Sequence, residues 1–382
     1  MLIKRPIYNT SLKCVAYEII INEHSNDLTE IQPHFTAVMD STEKSLPVFT
    51  PYVLKPLVEN DEANFENPII LKLHANDIGH IFPKEEIENN TFSTALFIDD
   101  IRQLPWLNFA DYIAMNDSLM KAKDAEKVIK FSHSKNRKVI AYDISTPQAF
   151  DLCKSWAMDF YCGDFLHKTN DSSKTEIAGN KLSVIALLNV LHQKDTDFDE
   201  VSKVIQKDAV LSYQLLKLVN SVVFSSYEPI ESIQQAVIRL GLVNLKNWVM
   251  VLSMRNVTNK PIEIVESGLI RAHMAEKLAE AHGALSKQCA YTTGLFSVLD
   301  SLLDTPMETL IEKITLSDDI KAALLSRVGP LGELLNVVIA YEEGHWDELG
   351  ADEYHGLDLS QVYVDCLQLV AAGKTAMGSD KA

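Results

Sequence analysis

Residues 207–254 read KDAVLSYQLLKLVNSVVFSSYEPIESIQQAVIRLGLVNLKNWVMVLSM. Apolar residues recur there at three- and four-residue spacing, which is the signature of amphipathic helices packed on one another. The sequence is interrupted once, at the polar turn around Asn220 and Ser221, and again at Gly241, where a left-handed cap would end a helix. Ser232 and Gln235 stand at the spacing of a helix N-terminal capping box. The third apolar stretch, Trp248–Leu252, carries hardly a polar atom and reads as a core helix.

The same periodicity runs through most of the chain's second half. Lys181–Gln193 places Leu182, Ile185, Ala186, Leu188 and Leu191 at helical spacing, Thr196 and Asp199 mark the next helix start, and Gly283 marks a helix end. The first half reads differently. Cys14–Asn22, Pro68–His74, Ala95–Ile98, Tyr112–Met115 and Lys138–Tyr142 are short β-branched or continuously apolar runs, as buried parallel strands are. Helix-like stretches, Ser118–Asn136 and Thr146–Ala157, fall between them, so this half is expected to form a barrel or an open parallel sheet. Between the halves, HKTNDSSKTEIAGN (His167–Asn180) is too polar to bury surface. The expected organisation is an α/β domain at 1–167, a linker at 168–180 and an all-α domain at 181–375.

With 382 residues the chain is long enough for two cores. Its formal charge of −18 opposes phosphate backbones, so no nucleic-acid partner is expected despite a helix–turn–helix look at 232–255. No apolar run reaches the roughly 18 residues of a membrane span, and the start lacks a signal-peptide core. Five scattered cysteines without a CxxC pair suit a reducing compartment, and a cytoplasmic location is expected. No Walker loop, G-x-S-x-G elbow or G-x-G-x-x-G is present.

The order D-x-x-L-x-x-x-L-L-x-x-V-N-S, S-I-x-x-A-V-x-x-L-G and a third apolar helix resembles the HDOD domain, a signalling relative of HD-type metal-dependent phosphohydrolases. Thr293–Glu348 extends the resemblance through Pro306-Met307-Glu308, Leu316-Ser317 and Gly329-Pro330-Leu331-Gly332. Where HD hydrolases carry their His-Asp metal pair, the resemblance puts Ser297 and Val298. His192, His273, His282 and His345 read as isolated, with no acid or second histidine three or four residues on.

The opening KRPIYNTSLKCVAYEIIIN resembles the start of EAL domains, phosphodiesterases of cyclic di-GMP built on a modified (β/α)8 barrel. That family holds two divalent cations with several carboxylates and an asparagine. Glu18 matches its motif glutamate. Elsewhere the correspondence implies losses: Arg5 for the motif glutamine, Asn22 for the phosphate-contacting arginine, and Lys72 for the ligand asparagine. Ala114 and Asn116 replace a lysine and an aspartate, Tyr142 and Ser145 fall where glutamates belong, and Cys162-Gly163-Asp164 stands for Q-G-[YF]. A paired-aspartate segment is shortened to Ile101–Ala110. Asp99 and Asp100 are the remaining acids at a strand end.

The resemblance therefore implies an EAL–HDOD tandem signalling protein with a degenerate, shortened barrel and a helical bundle. The expectation is a non-enzymatic pseudoenzyme with no catalytic, cofactor-binding or metal residues and no cofactor, Glu18 being vestigial. It would act as an adaptor through protein–protein contacts with a diguanylate cyclase, histidine kinase or other two-component protein, and homodimerisation is left open. Asn220, Ser221 and Trp248 are the expected interaction or interdomain surface. The alternatives are a cyclic di-GMP sensor or slow residual hydrolysis through Glu18, Asp99 and Asp100.

Overall fold

The computed structural model of the chain describes residues 1–22, 27–59, 65–89, 91–121, 125–168, 179–192, 198–220, 230, 232–257, 260–349 and 353–377. Two compact units are present: Met1–Lys168 with Glu343–Glu348, and Thr169–Glu342 with Leu349–Ala382. The division is thus not a single cut along the chain, because the short segment after Glu342 groups with the first unit.

The first unit is a closed barrel of eight strands: β1 (Leu2–Tyr8), β2 (Cys14–Ile21), β3 (Val48–Pro51), β4 (Ile69–His74), β5 (Ser93–Ile98), β6 (Tyr112–Met115), β7 (Lys138–Ala141) and β8 (Phe160–Tyr161). β1 runs antiparallel to both β2 and β8, and every other neighbouring pair is parallel. The open-sheet alternative is thereby excluded. Three of these strands escape a reading by apolar runs. β1 carries Lys4, Arg5 and Pro6 in its centre, β3 is four residues ending in proline, and β8 is only two residues long.

Strand alternation sets the two faces of the barrel wall. Ile7, Ala16, Phe49, Ile70, Ala95, Phe97, Ala114, Ile140 and Cys162 form one buried cluster. Leu71, Leu73, Leu96, Ile98, Ile113 and Val139, on the opposite side of their strands, are also buried. Both faces being covered explains why these strands read as continuous apolar runs.

Helices fill the connections. Leu28–Asp40 is capped by Asp27, whose side chain accepts from the Thr29 amide. Pro147–Ser155 starts at Thr146, whose hydroxyl accepts from the Ala149 amide at 3.1 Å. The shortened segment after β5 is a 3-10 helix, Ile101–Phe109, closed at its start by a capping box between Asp100 and Gln103.

Within its described residues the second unit is helical apart from a two-strand hairpin at Glu353–Tyr354 and Leu357–Asp358. Gly241 and Gly283 end helices in left-handed backbone, and Ser232 accepts from the Gln235 amide at 3.2 Å. Thr196 lies outside the described residues. The central contact is between the helices Ile262–His282 and Lys287–Phe296, which glycines bring together. A Cβ on Gly294 would lie 2.5 Å from the Arg271 carbonyl oxygen, and one on Gly268 would lie 2.6 Å from Val298 Cγ2. No single helix among the described residues is long and apolar enough to cross a membrane.

Gly294→Ala forces backbone apart at this crossing, so it is expected to destabilise the helical unit by about 1–3 kcal/mol, the usual cost of overpacking. Urea unfolding followed by far-UV circular dichroism measures it. A stability unchanged within about 0.5 kcal/mol would show that the two helices are not held at this distance.

Candidate functional site

Arg5, Ala16 and Glu18, Ile70 and Lys72, and Ile140 and Tyr142 illustrate how the barrel places its polar groups. Each polar residue lies two positions from a member of the interior cluster, hence on the same face of its strand. The β1–β2 register sets Arg5 directly opposite Glu18. Lys72 reaches them from two strands away.

Glu18 is 1% exposed and held on both carboxylate oxygens. Lys72 Nζ donates to Oε1 and also to the Ile19 carbonyl. Arg5 donates to Oε2 through its terminal nitrogen at 3.0 Å and through Nε at 3.2 Å. The Cys162 thiol approaches the same Oε2 at 3.4 Å. Burial pushes the Glu18 carboxyl up, but Lys72 and then Arg5 outweigh it and bring it from 4.5 down to about 2. Burial likewise raises the Cys162 thiol and the Tyr142 phenol, so both stay protonated.

Aromatic rings complete this layer. The Arg5 guanidinium lies 5.0 Å from the Tyr142 ring, Lys72 Nζ lies 5.1 Å from the Phe97 ring, and the two rings meet edge to face at 4.6 Å. The arrangement is a neutralised carboxylate roofed by aromatics. Arg5 also reaches the exposed Asp143 at 3.4 Å, so its charge is shared between a buried and an exposed acid. A divalent cation at Glu18 would have to displace Lys72, and that is a steep electrostatic demand.

The fold thus brings together Arg5, Glu18, Lys72, Tyr142 and Cys162, which the sequence correspondence places singly. It does not bring Asp99 and Asp100 into that group. Asp99 accepts from Asn116 at 2.8 Å, and Asp100 pairs with Arg102 at 2.7 Å.

In the helical unit, Ser297 donates to the Gly294 carbonyl at 2.7 Å and lies 3.5 Å from the Arg271 guanidinium. Arg271, 3% exposed, donates to Glu342 at 2.5 Å, and Ser267 donates to the other oxygen of the same carboxylate. An ion pair of the chain's own side chains therefore fills the region beside Ser297 and Val298.

Asn220 is exposed: its amide donates to the carbonyls of Leu216 and Ile230, and its side-chain oxygen accepts from the Ile230 amide. Ser221 lies outside the described residues. Trp248 is half-buried, and a Cβ on Gly373 would come within 2.8 Å of its ring. The reading of the histidines as isolated is corrected: Asp195, Glu276 and Glu348 stand three residues after His192, His273 and His345, and the His282 ring packs against that of His355 at 4.9 Å. His273 lies 3.6 Å from Glu276, its neighbour one turn on, and His345 lies 3.8 Å from Glu343. The second pair escapes a search at helical spacing because its members stand two residues apart, across a glycine in left-handed backbone.

The family model for the HDOD domain matches residues 182–311. Over 272 residues the chain is 29% identical to the cyclic di-GMP phosphodiesterase CdgJ of Vibrio cholerae, a match covering 69% of this chain and 62% of CdgJ. It is 25% identical to YuxH of Bacillus subtilis, an uncharacterised protein, across 94% of each chain. Among solved structures, the Bacillus subtilis YkuI protein, which has an EAL domain and was solved with cyclic di-GMP and calcium, overlaps 64% of this chain and 73% of its own at 12% identity and a TM-score of 0.34. CdgJ overturns the expectation that the chain is no enzyme: it is aligned over more than half of its length with a protein named as a phosphodiesterase, which points to an enzymatic lineage.

The Glu18 cluster makes a pH prediction. A carboxyl whose folded value lies below its unfolded one contributes stability above the unfolded value and loses it as pH falls toward the folded value. The barrel should therefore lose on the order of 3 kcal/mol between about pH 5 and pH 2 through this one group. Glu18→Gln removes the carboxylate that Lys72 pairs with and leaves Arg5 only the exposed Asp143, so it should cost about 3–5 kcal/mol at neutral pH and flatten that part of the profile. Lys72→Met, which leaves the Arg5–Glu18 pair, should cost less. Denaturant unfolding of the barrel at several pH values tests all three, and equal costs for the two substitutions would refute the charge balance described.

Proposed function

We propose that the chain is a regulatory protein of cyclic di-GMP signalling whose output passes through contacts between its HDOD unit and a signalling protein. The relative CdgJ and the HDOD match support the pathway. The observation that carries the mode of action is the way the motif acid is occupied: Glu18 is locked between Arg5 and Lys72 and roofed by Phe97 and Tyr142. With the motif acid so occupied, recognition at the surface is the means of transmitting a signal that this reading adopts.

The surface offered by the HDOD unit has suitable anchors. Tyr213, Ile238 and Val243 are 66%, 81% and 55% exposed, and they stand on three consecutive helices that pack on one another. Exposed aromatic and branched side chains on adjacent elements are what interface cores are made from. A diguanylate cyclase, a histidine kinase or another two-component protein is the proposed class of partner.

The test combines crosslinking with complementation. Photo-crosslinking residues at 213 and 238 should trap one defined signalling protein in cells. The double change Tyr213→Lys and Ile238→Lys should abolish that adduct and reduce the pathway output at least tenfold, with an unaltered melting temperature and an unaltered rate of any cyclic di-GMP hydrolysis. Output that survives the double change, and instead tracks hydrolysis of the dinucleotide by the purified chain, would overturn the reading.

A further inference from the structure

One group of side chains in the barrel unit is used neither by the Glu18 cluster nor by the proposed contacts. β8 leads into Cys162-Gly163-Asp164. Gly163 has φ of +140°, and a Cβ there would strike the Ile144 backbone oxygen at 2.3 Å, so only glycine lets the strand end turn Asp164 inward at this point. One 3-10 turn later comes His167, whose amide bonds the Asp164 carbonyl at 2.8 Å. Far along the chain, the helix Gly329–Glu343 ends at Gly344 in left-handed backbone, and this sets Glu343 and His345 side by side. The segment Glu343–Glu348 groups with the barrel, so all four side chains belong to the first unit.

Ligand atoms of Asp164, Glu343 and His345 all lie within 4.8 Å of one another. Both histidines address the same carboxylate: His167 Nδ1 is 3.9 Å from one oxygen of Glu343, and His345 Nδ1 is 3.8 Å from the other. These separations exceed hydrogen-bond length. They approach the edge of roughly 3.4 Å that a tetrahedron of ligands around zinc has when each bond is about 2.1 Å. Burial raises the Asp164 carboxyl, Arg5 opposes this, and Glu343 adds to it, so two acids are crowded where a cation would relieve them. The Glu343 side chain is 19% exposed and that of His345 52%, so the group is reachable from solvent.

We propose that Asp164, Glu343 and His345, with His167 beside them, bind a divalent transition-metal cation of the zinc or manganese type. Imidazole with carboxylate selects such ions over magnesium and calcium, which prefer all-oxygen shells. Binding would tie Glu343–Glu348 to the C-terminal end of β8. It requires neutral imidazoles and ionised carboxylates, so each cation bound releases protons and affinity falls as pH is lowered.

Calorimetric titration of the full chain, freed of metal with a chelator, with zinc, manganese and magnesium chlorides tests this. Zinc or manganese should bind at one equivalent, raise the melting temperature by about 5 °C at a hundredfold excess over its dissociation constant, and outcompete magnesium. His345→Ala and Glu343→Gln should each weaken binding about 10–100-fold, whereas His133→Ala, at a histidine outside the group, should leave it unchanged. Cobalt(II) should give a visible absorption band that His345→Ala abolishes. Absence of binding at micromolar metal, or affinity that His345→Ala and Glu343→Gln leave intact in folded protein, would overturn the proposal.

Discussion

A carboxylate sealed inside a closed barrel must be neutralised, and the way Glu18 is neutralised governs everything around it. Isolated, an ionised carboxylate in that interior would cost many kcal/mol and would take up a proton instead. Lys72 and Arg5 prevent this, each from a different strand, so the charge can be held only if β1, β2 and β4 are all in register. The ion cluster therefore acts as a closure condition on the barrel. A one-residue slip of any of these strands would turn its partner to the outer face and leave a buried charge alone.

The same requirement explains the polar centre of β1. Lys4 and Arg5 look wrong for a strand when read by hydropathy, yet the Arg5 side chain points at Glu18 and stacks near Tyr142, while Lys4 donates to the Ser41 carbonyl at 3.1 Å. Antiparallel pairing of β1 with β2 makes this geometry available, because directly opposed residues share a face. Strand propensity alone has no access to it, since the stabilising partner of each cation is set by tertiary pairing.

Periodicity is legible in this sequence, and convergence is not. The apolar runs at 69–74, 93–98, 112–115 and 138–141 mark their strands because both faces are buried. Caps at Thr146, Ser232, Gly241 and Gly283 are legible because they depend on local backbone chemistry. The four-residue β3 and two-residue β8 are not, since strands that short have no period to count. The motif positions Arg5, Lys72, Tyr142 and Cys162 can be placed one by one by resemblance, but their mutual contacts cannot. Nor can substitution at those positions decide whether the chain stands among enzymes, because the correspondence locates residues without measuring what they do together.

The second unit shows the same limit from the other direction. The sequence presents Ser297 and Val298 only as missing metal ligands, and nothing in it announces that Arg271 and Glu342, from two different helices, fill the neighbouring space with an ion pair. Arg271 is buried by the close helix crossing at Gly294, so its guanidinium has to find acceptors within the bundle or go unpaired at a cost of several kcal/mol. Glu342 meets that need, and Ser267 orients it. A glycine chosen for close approach thus dictates, two contacts away, where a charge pair must sit. In both units the polar groups are explained by what the backbone encloses, and their chemistry follows from their neighbours in space more than from their motif.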